Sequence, residues 1–106
     1  MFRVVLDSTV YVAALLEGEG SNKILRVWRD ARIEVLTTPV IVDEVRRVLY
    51  LQAAPVGRIA ALLKLIENYA ITVTPTEHIT ACRDADDNKF LEAAVAGNAT
   101  YIVSDE

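Results

Sequence analysis

Four short apolar segments alternate with helix-forming segments along this chain of 106 residues, and the alternation is what most limits its fold. Strands separated by helices usually pair in parallel, because a parallel pair needs a long crossover connection. The sequence therefore predicts a three-layer α/β/α fold around a mainly parallel sheet of four strands. The predicted strands are residues 2–6, 33–37, 71–74 and 100–103.

Length and composition indicate one domain over residues 1–106, with no linker or repeat to divide it. Hydrophobic residues make up 53% of the chain, which argues against disorder. The net charge of −4 argues against a basic surface as the main route to nucleic acid. A single cysteine, no signal peptide and no apolar run of bilayer length predict a cytoplasmic protein without membrane contact.

Residues 38–51 are predicted to form a helix that Thr38 caps and Pro39 begins. Glu44 falls within the apolar face of this helix. An ionised carboxylate among apolar side chains is costly unless a partner neutralises it. The apolar face is predicted to consist of Val40, Ile41, Val45, Val48 and Leu51.

Two more acidic residues stand out in the same way. Asp7 ends the first apolar strand, and Asp87 shares a face with Phe90 and Leu91 on a predicted helix over residues 87–96. Functional groups of parallel α/β folds gather beyond the carboxyl ends of the strands. Carboxylates directed inward from three separate elements, Asp7, Glu44 and Asp87, therefore predict a divalent-cation site.

Each acid also has a purely structural interpretation. Glu44 could extend past the apolar face into water, Asp7 could cap the helix that follows it, and Asp87 could be a favourable acid in a first helical turn. Asp84 is expected to be a cap in either case. If the acids meet without a cation, Glu44→Gln should leave the metal-free protein at least as stable as before.

Four segments, in this order, carry a resemblance to a known family. They are Val-Val-Leu-Asp-Ser-Thr-Val at 4–10, Thr-Pro-Val-Ile-Val-Asp-Glu-Val at 38–45, Arg-Asp-Ala-Asp-Asp-Asn-Lys-Phe-Leu at 83–91 and Tyr-Ile-Val-Ser at 101–104. Together they resemble the PIN-domain family, in particular its prokaryotic branch of toxins from toxin–antitoxin pairs. The resemblance covers essentially the whole chain.

The resemblance implies an endoribonuclease that uses Mg²⁺ or Mn²⁺ to hydrolyse phosphodiester bonds of single-stranded RNA. It implies products with 5′-phosphate and 3′-hydroxyl ends. Asp7, Glu44 and Asp87 would be the catalytic and metal-binding residues, and Glu106, with Asp105 beside it, would complete the metal ligands. The implied partners are RNA, an antitoxin protein and a second copy of the chain in a homodimer.

Further residues are assigned around that site. Ser8 and Thr9 could order a metal ligand, Lys89 could contact a phosphate, and Asp84 matches an acidic position of the branch. Thr9 stands where the family usually has Asn. A hydroxyl can still hydrogen-bond a carboxylate or a phosphate.

Two alternatives remain open. The family normally continues with a helix and a fifth strand after the position of Glu106, so the chain could be a catalytically weak or inactive PIN-like interaction module. A receiver-like signalling domain also carries acids at strand ends. Its acidic pair should follow the first strand, however, whereas Asp86 and Asp87 come late in this chain.

Overall fold

The computed structural model describes residues 1–16 and 19–104. The strands are β1 (Phe2–Leu6), β2 (Ile33–Thr37), β3 (Ile71–Thr72) and β4 (Tyr101–Val103). The helices are α1 (Ser8–Leu16), α2 (Glu19–Arg29), α3 (Pro39–Leu51), α4 (Val56–Tyr69) and α5 (Asn88–Gly97), and a 3₁₀ turn, Ala85–Asp87, precedes α5. No helix within the described ranges is long and apolar enough to cross a lipid bilayer.

The strands form one parallel sheet in the order β3-β2-β1-β4, which confirms the predicted α/β fold. β1 lies in the interior of the sheet, where Val4 pairs with Val35 of β2 and Val5 with Ile102 of β4. Val4 and Val5 are buried, as expected for a strand that is covered on both faces. The parallel arrangement brings the carboxyl ends of β1 and β4 to the same edge.

The third strand is shorter than the predicted segment 71–74, because regular pairing ends at Thr72. The N–H of Val73 still donates to the carbonyl of Thr37 at 2.9 Å. Pro75, which has no N–H to donate, follows two residues later. The chain then leaves the sheet for the connector that leads to α5.

The start of α3 is as predicted, but its buried face is not. The Thr38 hydroxyl accepts a hydrogen bond from the N–H of Ile41 at 3.2 Å, and Pro39 occupies the first turn. The buried residues are Ile41, Val45 and Leu49. Val40 is 58% exposed and Leu51 is 75% exposed, so the predicted apolar face was wrong at both residues. Glu44 consequently lies on the flank of the buried face.

The aromatic side chains of the interior serve packing. Trp28 and Phe90 are buried, and Tyr11 packs edge-to-face on Trp28 with ring centroids 6.4 Å apart. Burial raises the pKa of the Tyr11 hydroxyl above its ordinary value. These contacts agree with the sequence-based interpretation of Trp28 and Phe90 as core residues.

Gly97 sets how closely α5 approaches the sheet. A Cβ atom at this position would come within 2.3 Å of Cδ1 of Leu36, a buried residue of β2. Asn98 then ends the helix in the left-handed conformation, with φ 54°. This close packing holds the carboxyl-terminal end of α5 against β2.

Candidate functional site

Asp7 is held in place by the first turn of α1. Its Oδ1 atom accepts hydrogen bonds from the N–H of Thr9 at 3.0 Å, from the N–H of Val10 at 3.4 Å and from the hydroxyl of Thr9. Asp7 therefore caps α1, where the positive end of the helix dipole favours a carboxylate. The structure thus bears out the capping interpretation of Asp7, and the same residue lines a cavity.

This cavity, of about 300 Å³, opens at the carboxyl ends of β1 and β4. We call it the acidic cavity, because Asp7 and Asp87 both line it. The other lining residues are Ser8, Thr9, Cys82, Phe90, Leu91, Ile102 and Ser104. The prediction that Asp7 and Asp87 approach each other agrees with this arrangement.

Asp87 reaches the acidic cavity from the 3₁₀ turn, not from the helix that the sequence predicts to begin there. The Asp84 carboxylate caps the turn by accepting a hydrogen bond from the N–H of Asp86 at 3.0 Å. The Asp84 carbonyl accepts another from the N–H of Asp87, also at 3.0 Å. The expected capping role of Asp84 is confirmed, and it orders the backbone that carries Asp87.

Glu44 is paired with a cation in this structure. The Lys89 ammonium donates to Oε1 of Glu44 at 2.5 Å, between α3 and α5. The side chains of Lys89 and Glu44 are only 18% and 14% exposed. Neither of these two residues is among those that line the acidic cavity. The sequence predicted a divalent cation as the neutralising partner of Glu44 and assigned Lys89 to a phosphate, whereas in this structure Lys89 itself is the partner of Glu44.

The acids predicted from the sequence are thus distributed over two places. Asp7 and Asp87 share the acidic cavity, whereas Glu44 lies against Lys89. Over residues 1–16 and 19–104, no three Asp, Glu, His or Cys side chains are grouped so that they could hold one metal ion. Asp105 and Glu106 lie outside the described residues.

The donor atoms at the acidic cavity fit Mg²⁺ or Mn²⁺ in their chemistry. Asp7 and Asp87 offer carboxylate oxygens, which are ligands that hard cations prefer. Proteins commonly bind Mg²⁺ through one or two carboxylates, and water and substrate phosphate complete its coordination. The hydroxyls of Ser8, Thr9 and Ser104 add polar groups at the same cavity.

Ser104 and Cys82 line the acidic cavity but were not among the predicted site residues. The Ser104 Oγ atom lies 3.5 Å from Oγ1 of Thr9, so the ends of β1 and β4 also meet through side chains. The position of Ser104 directly after the last predicted strand was a signal that could have identified it. Cys82 comes from an irregular connector, for which the sequence offers no such signal.

The connector between β3 and α5 is attached to α5 by two side chains. Glu92 accepts a hydrogen bond from the N–H of Ile79 at 2.8 Å, and Asn88 accepts one from the N–H of Cys82 at 2.9 Å. His78 also lies 3.5 Å from Glu92. These contacts place Cys82 at the wall of the acidic cavity.

Comparison with known proteins agrees with this architecture. The chain is similar to the uncharacterized protein MJ1680 of Methanocaldococcus jannaschii, with 29% identity over 110 residues, which cover 98% of this chain and 71% of that protein. The sequence model of the PIN domain matches residues 3–106. The matched range includes the parallel sheet and the acidic cavity, and the chain belongs to the PIN-domain family.

Proposed function

We propose that this protein is a metal-dependent endoribonuclease that hydrolyses phosphodiester bonds of single-stranded RNA at the acidic cavity. The observation that carries the proposal is the shared cavity of Asp7 and Asp87 at the carboxyl ends of two parallel strands. PIN domains are generally nucleases, and this chain has the nuclease-like fold of that family.

Asp7 and Asp87 would hold the Mg²⁺ or Mn²⁺ ion, joined by Glu44 and by Asp105 and Glu106. When bound, the ion would polarise a phosphate oxygen and activate a water molecule. The water oxygen would form a bond to phosphorus and lose a proton, while the bond from phosphorus to the 3′ oxygen breaks and that oxygen takes up a proton. The products carry a 5′-phosphate and a 3′-hydroxyl.

The protein's own groups prepare this reaction. Thr9 and the first turn of α1 fix the orientation of the Asp7 carboxylate, so little reorganisation is needed when a cation arrives. The hydroxyls of Ser8 and Ser104 lie at the same cavity and can donate to a phosphate oxygen. With a net charge of −4, the chain would depend on the bound cation to attract RNA.

The decisive experiment follows cleavage of an unstructured RNA in Mn²⁺ and in EDTA. We expect cleavage in Mn²⁺ only, and we expect Asp7→Asn and Asp87→Asn each to abolish most of it. Asp43→Asn is the matched control, since Asp43 is a 73% exposed acid beside Glu44 that does not line the acidic cavity. Cleavage that persists in EDTA, or in both cavity variants, would contradict the proposal.

A second candidate is a catalytically weak or inactive interaction module. The pairing of Glu44 with Lys89 favours it, because it removes one acid from the metal ligands that the family resemblance implies. This candidate requires that purified protein cleaves RNA in Mn²⁺ slowly or not at all, even with protein in excess over substrate. Rapid cleavage that depends on Asp7 would exclude it.

The biological context belongs to the same proposal: a cytoplasmic toxin, restrained by an antitoxin protein and assembled as a homodimer. Induced expression should arrest growth, and Asp7→Asn should relieve the arrest. Sedimentation of the purified chain should give the mass of two copies. Unimpaired growth during expression of active enzyme, or a monomer at all concentrations, would remove the corresponding part of the proposal.

A further inference from the structure

A second cavity, of about 390 Å³, opens at the carboxyl ends of β2 and β3. We call it the threonine cavity, because Thr37 and Thr72, the last residues of these two strands, both line it. Its other walls come from α3 and from Leu63, Ile66 and Glu67 of α4. The residues that line it are entirely different from those that line the acidic cavity. It nevertheless lies at the edge of the sheet where parallel α/β folds bind ligands.

The side chain of Thr37 stands on the face of the sheet that is turned away from α5. The preceding residue, Leu36, packs closely on Gly97 of α5. Successive side chains of a strand point to opposite faces, so Thr37 points the other way. Thr72 pairs with Thr37 in the β2–β3 register and shares its face. Both threonines therefore face the side on which α4 closes the cavity.

The hydroxyl of Thr37 is an unsatisfied polar group. Thr37 is 2% exposed, and its Oγ1 has no hydrogen-bond partner among the residues that the structure describes. Burial of an unpaired hydroxyl costs free energy, and most buried polar atoms are therefore hydrogen-bonded. The hydroxyl of the next residue, Thr38, shows the usual situation, since it accepts from the N–H of Ile41. Thr37 thus keeps its hydrogen-bonding capacity for a group that enters the cavity.

The exposed side of the threonine cavity carries one unbalanced charge. Arg46 and Asp43 both line the cavity, but their charges are paired at 3.0 Å. Glu67 is exposed and has no ion pair or hydrogen bond with another side chain in the described part of the chain. Leu63 and Ile66 add apolar wall. The cavity therefore combines an unpaired carboxylate, an apolar surface and an unsatisfied hydroxyl.

We propose that the threonine cavity binds a small organic cation, an aliphatic amine that carries a neutral hydrogen-bonding group at its other end. The ammonium pairs with Glu67, the carbon chain lies on Leu63 and Ile66, and the neutral end hydrogen-bonds to Thr37. Glu67 would repel an anion, and a wholly apolar molecule would leave Thr37 unpaired. The inference does not depend on the proposed nuclease function, because it uses no residue of the acidic cavity.

The test is a titration of the purified, ¹⁵N-labelled chain, followed by NMR, with 5-amino-1-pentanol, pentylamine and 1-pentanol. We expect the amino alcohol to bind with a dissociation constant on the order of 1 mM, as suits so small a ligand. Pentylamine and 1-pentanol should each bind several-fold more weakly, because each lacks one polar contact. The amide signals of Thr37, Ile66 and Thr72 should shift, and those of Asp7 and Asp87 should not. Equal affinities of the three compounds, no binding, or shifts at Asp7 and Asp87 alone would overturn the proposal.

Variants assign each end of the ligand. Thr37→Val keeps the shape of the side chain and should bind the amino alcohol and pentylamine equally. Glu67→Gln should bind the amino alcohol and 1-pentanol equally. Glu77→Gln is the matched control, since Glu77 is an exposed acid that does not line the cavity, and it should keep the preferences of wild type. Loss of those preferences in Glu77→Gln as well, or their survival in Thr37→Val and Glu67→Gln, contradicts the assignment. Loss of binding in Asp7→Asn would place the amine in the acidic cavity instead.

Thermal unfolding without ligand tests the state of the Thr37 hydroxyl separately. Because valine removes an unpaired buried hydroxyl, Thr37→Val should melt at the same temperature as wild type or higher. A lower melting temperature, or a variant that does not fold, would show that the hydroxyl already has a partner inside the protein. Either result would overturn the proposal, since no hydrogen-bonding capacity would remain for a ligand.

Discussion

The backbone N–H of Asp7 donates to the carbonyl of Val103 at 3.0 Å, which continues the parallel pairing of β1 with β4 to the point where both strands end. This hydrogen bond places the Asp7 carboxylate and Ser104 at one edge of the sheet. The acidic cavity is therefore a direct consequence of strand order, because β4 lies next to β1.

Thr9→Val should weaken both the fold and metal binding. Valine has a similar shape but cannot donate to the Asp7 carboxylate, so we expect a loss of about 1–2 kcal/mol in the free energy of unfolding. Thr9→Ser keeps a hydroxyl and should recover most of the loss. Urea denaturation in EDTA measures both variants, and equal stability of Thr9→Val and wild type would show that the hydroxyl does not hold Asp7.

Glu44→Gln should destabilise the metal-free protein, which is the opposite of the sequence-based expectation. The structure pairs Glu44 with a mostly buried Lys89. Because the substitution leaves the Lys89 ammonium without a carboxylate partner, we expect the free energy of unfolding to fall by about 1–3 kcal/mol. Denaturation in EDTA is the measurement, and Asp43→Asn should change stability by less than about 0.5 kcal/mol.

The double variant tests the origin of that loss. If the two side chains act as a pair, Glu44→Gln combined with Lys89→Met should cost less than the sum of the single changes. Additive losses would mean that each side chain stabilises the protein through other neighbours.

Gly97→Ala should lower the stability of the protein, whereas Gly57→Ala should raise it. The new Cβ at position 97 meets the buried Leu36, and repacking should cost about 1–3 kcal/mol. At Gly57 nothing lies within 4 Å of the new atom, so alanine should stabilise α4 by about 0.5–1 kcal/mol through its helix propensity. Thermal unfolding compares the two, and equal effects would contradict the close approach of α5.

Glu92→Ala should loosen the connector between β3 and α5. The N–H of Ile79 loses its carboxylate acceptor, so its hydrogen exchange should accelerate several-fold while exchange in α5 stays unchanged. Glu67→Ala changes an exposed acid of α4 and is the matched control. Unchanged exchange at Ile79 would indicate that the connector is held by other contacts.

Much of the fold follows from local sequence patterns. The apolar runs of β1 and β2 and the Thr38-Pro39 start of α3 were predicted correctly, because each depends on residues adjacent in the chain. The buried face of α3 was partly wrong, since Val40 and Leu51 fit the helical period but meet no neighbouring element that covers them. Periodicity indicates a possible face, and tertiary packing decides which part of it is buried.

The candidate site was predicted less completely for the same reason. Strand order brings Asp7 and Asp87 to one cavity, and the alternation of strands and helices made that edge foreseeable. The partner of Glu44 lies 45 residues away in the chain, and no local pattern relates the two positions. The sequence predicted that Asp87 begins a helix, whereas it lies in a 3₁₀ turn. The two cannot be told apart from the sequence, because a helix start and a short turn favour the same acidic capping residues.

The most direct test of the acidic cavity is the effect of Mn²⁺ on thermal unfolding of wild type, Asp7→Asn, Asp87→Asn and the control Asp43→Asn. Asparagine also caps helices well, so Asp7→Asn should keep the fold. Because a ligand that binds only the native state stabilises it, Mn²⁺ should raise the melting temperature of wild type and of Asp43→Asn by several degrees. Both cavity variants should lose most of that rise. The same rise in all four proteins would contradict a metal site formed by Asp7 and Asp87.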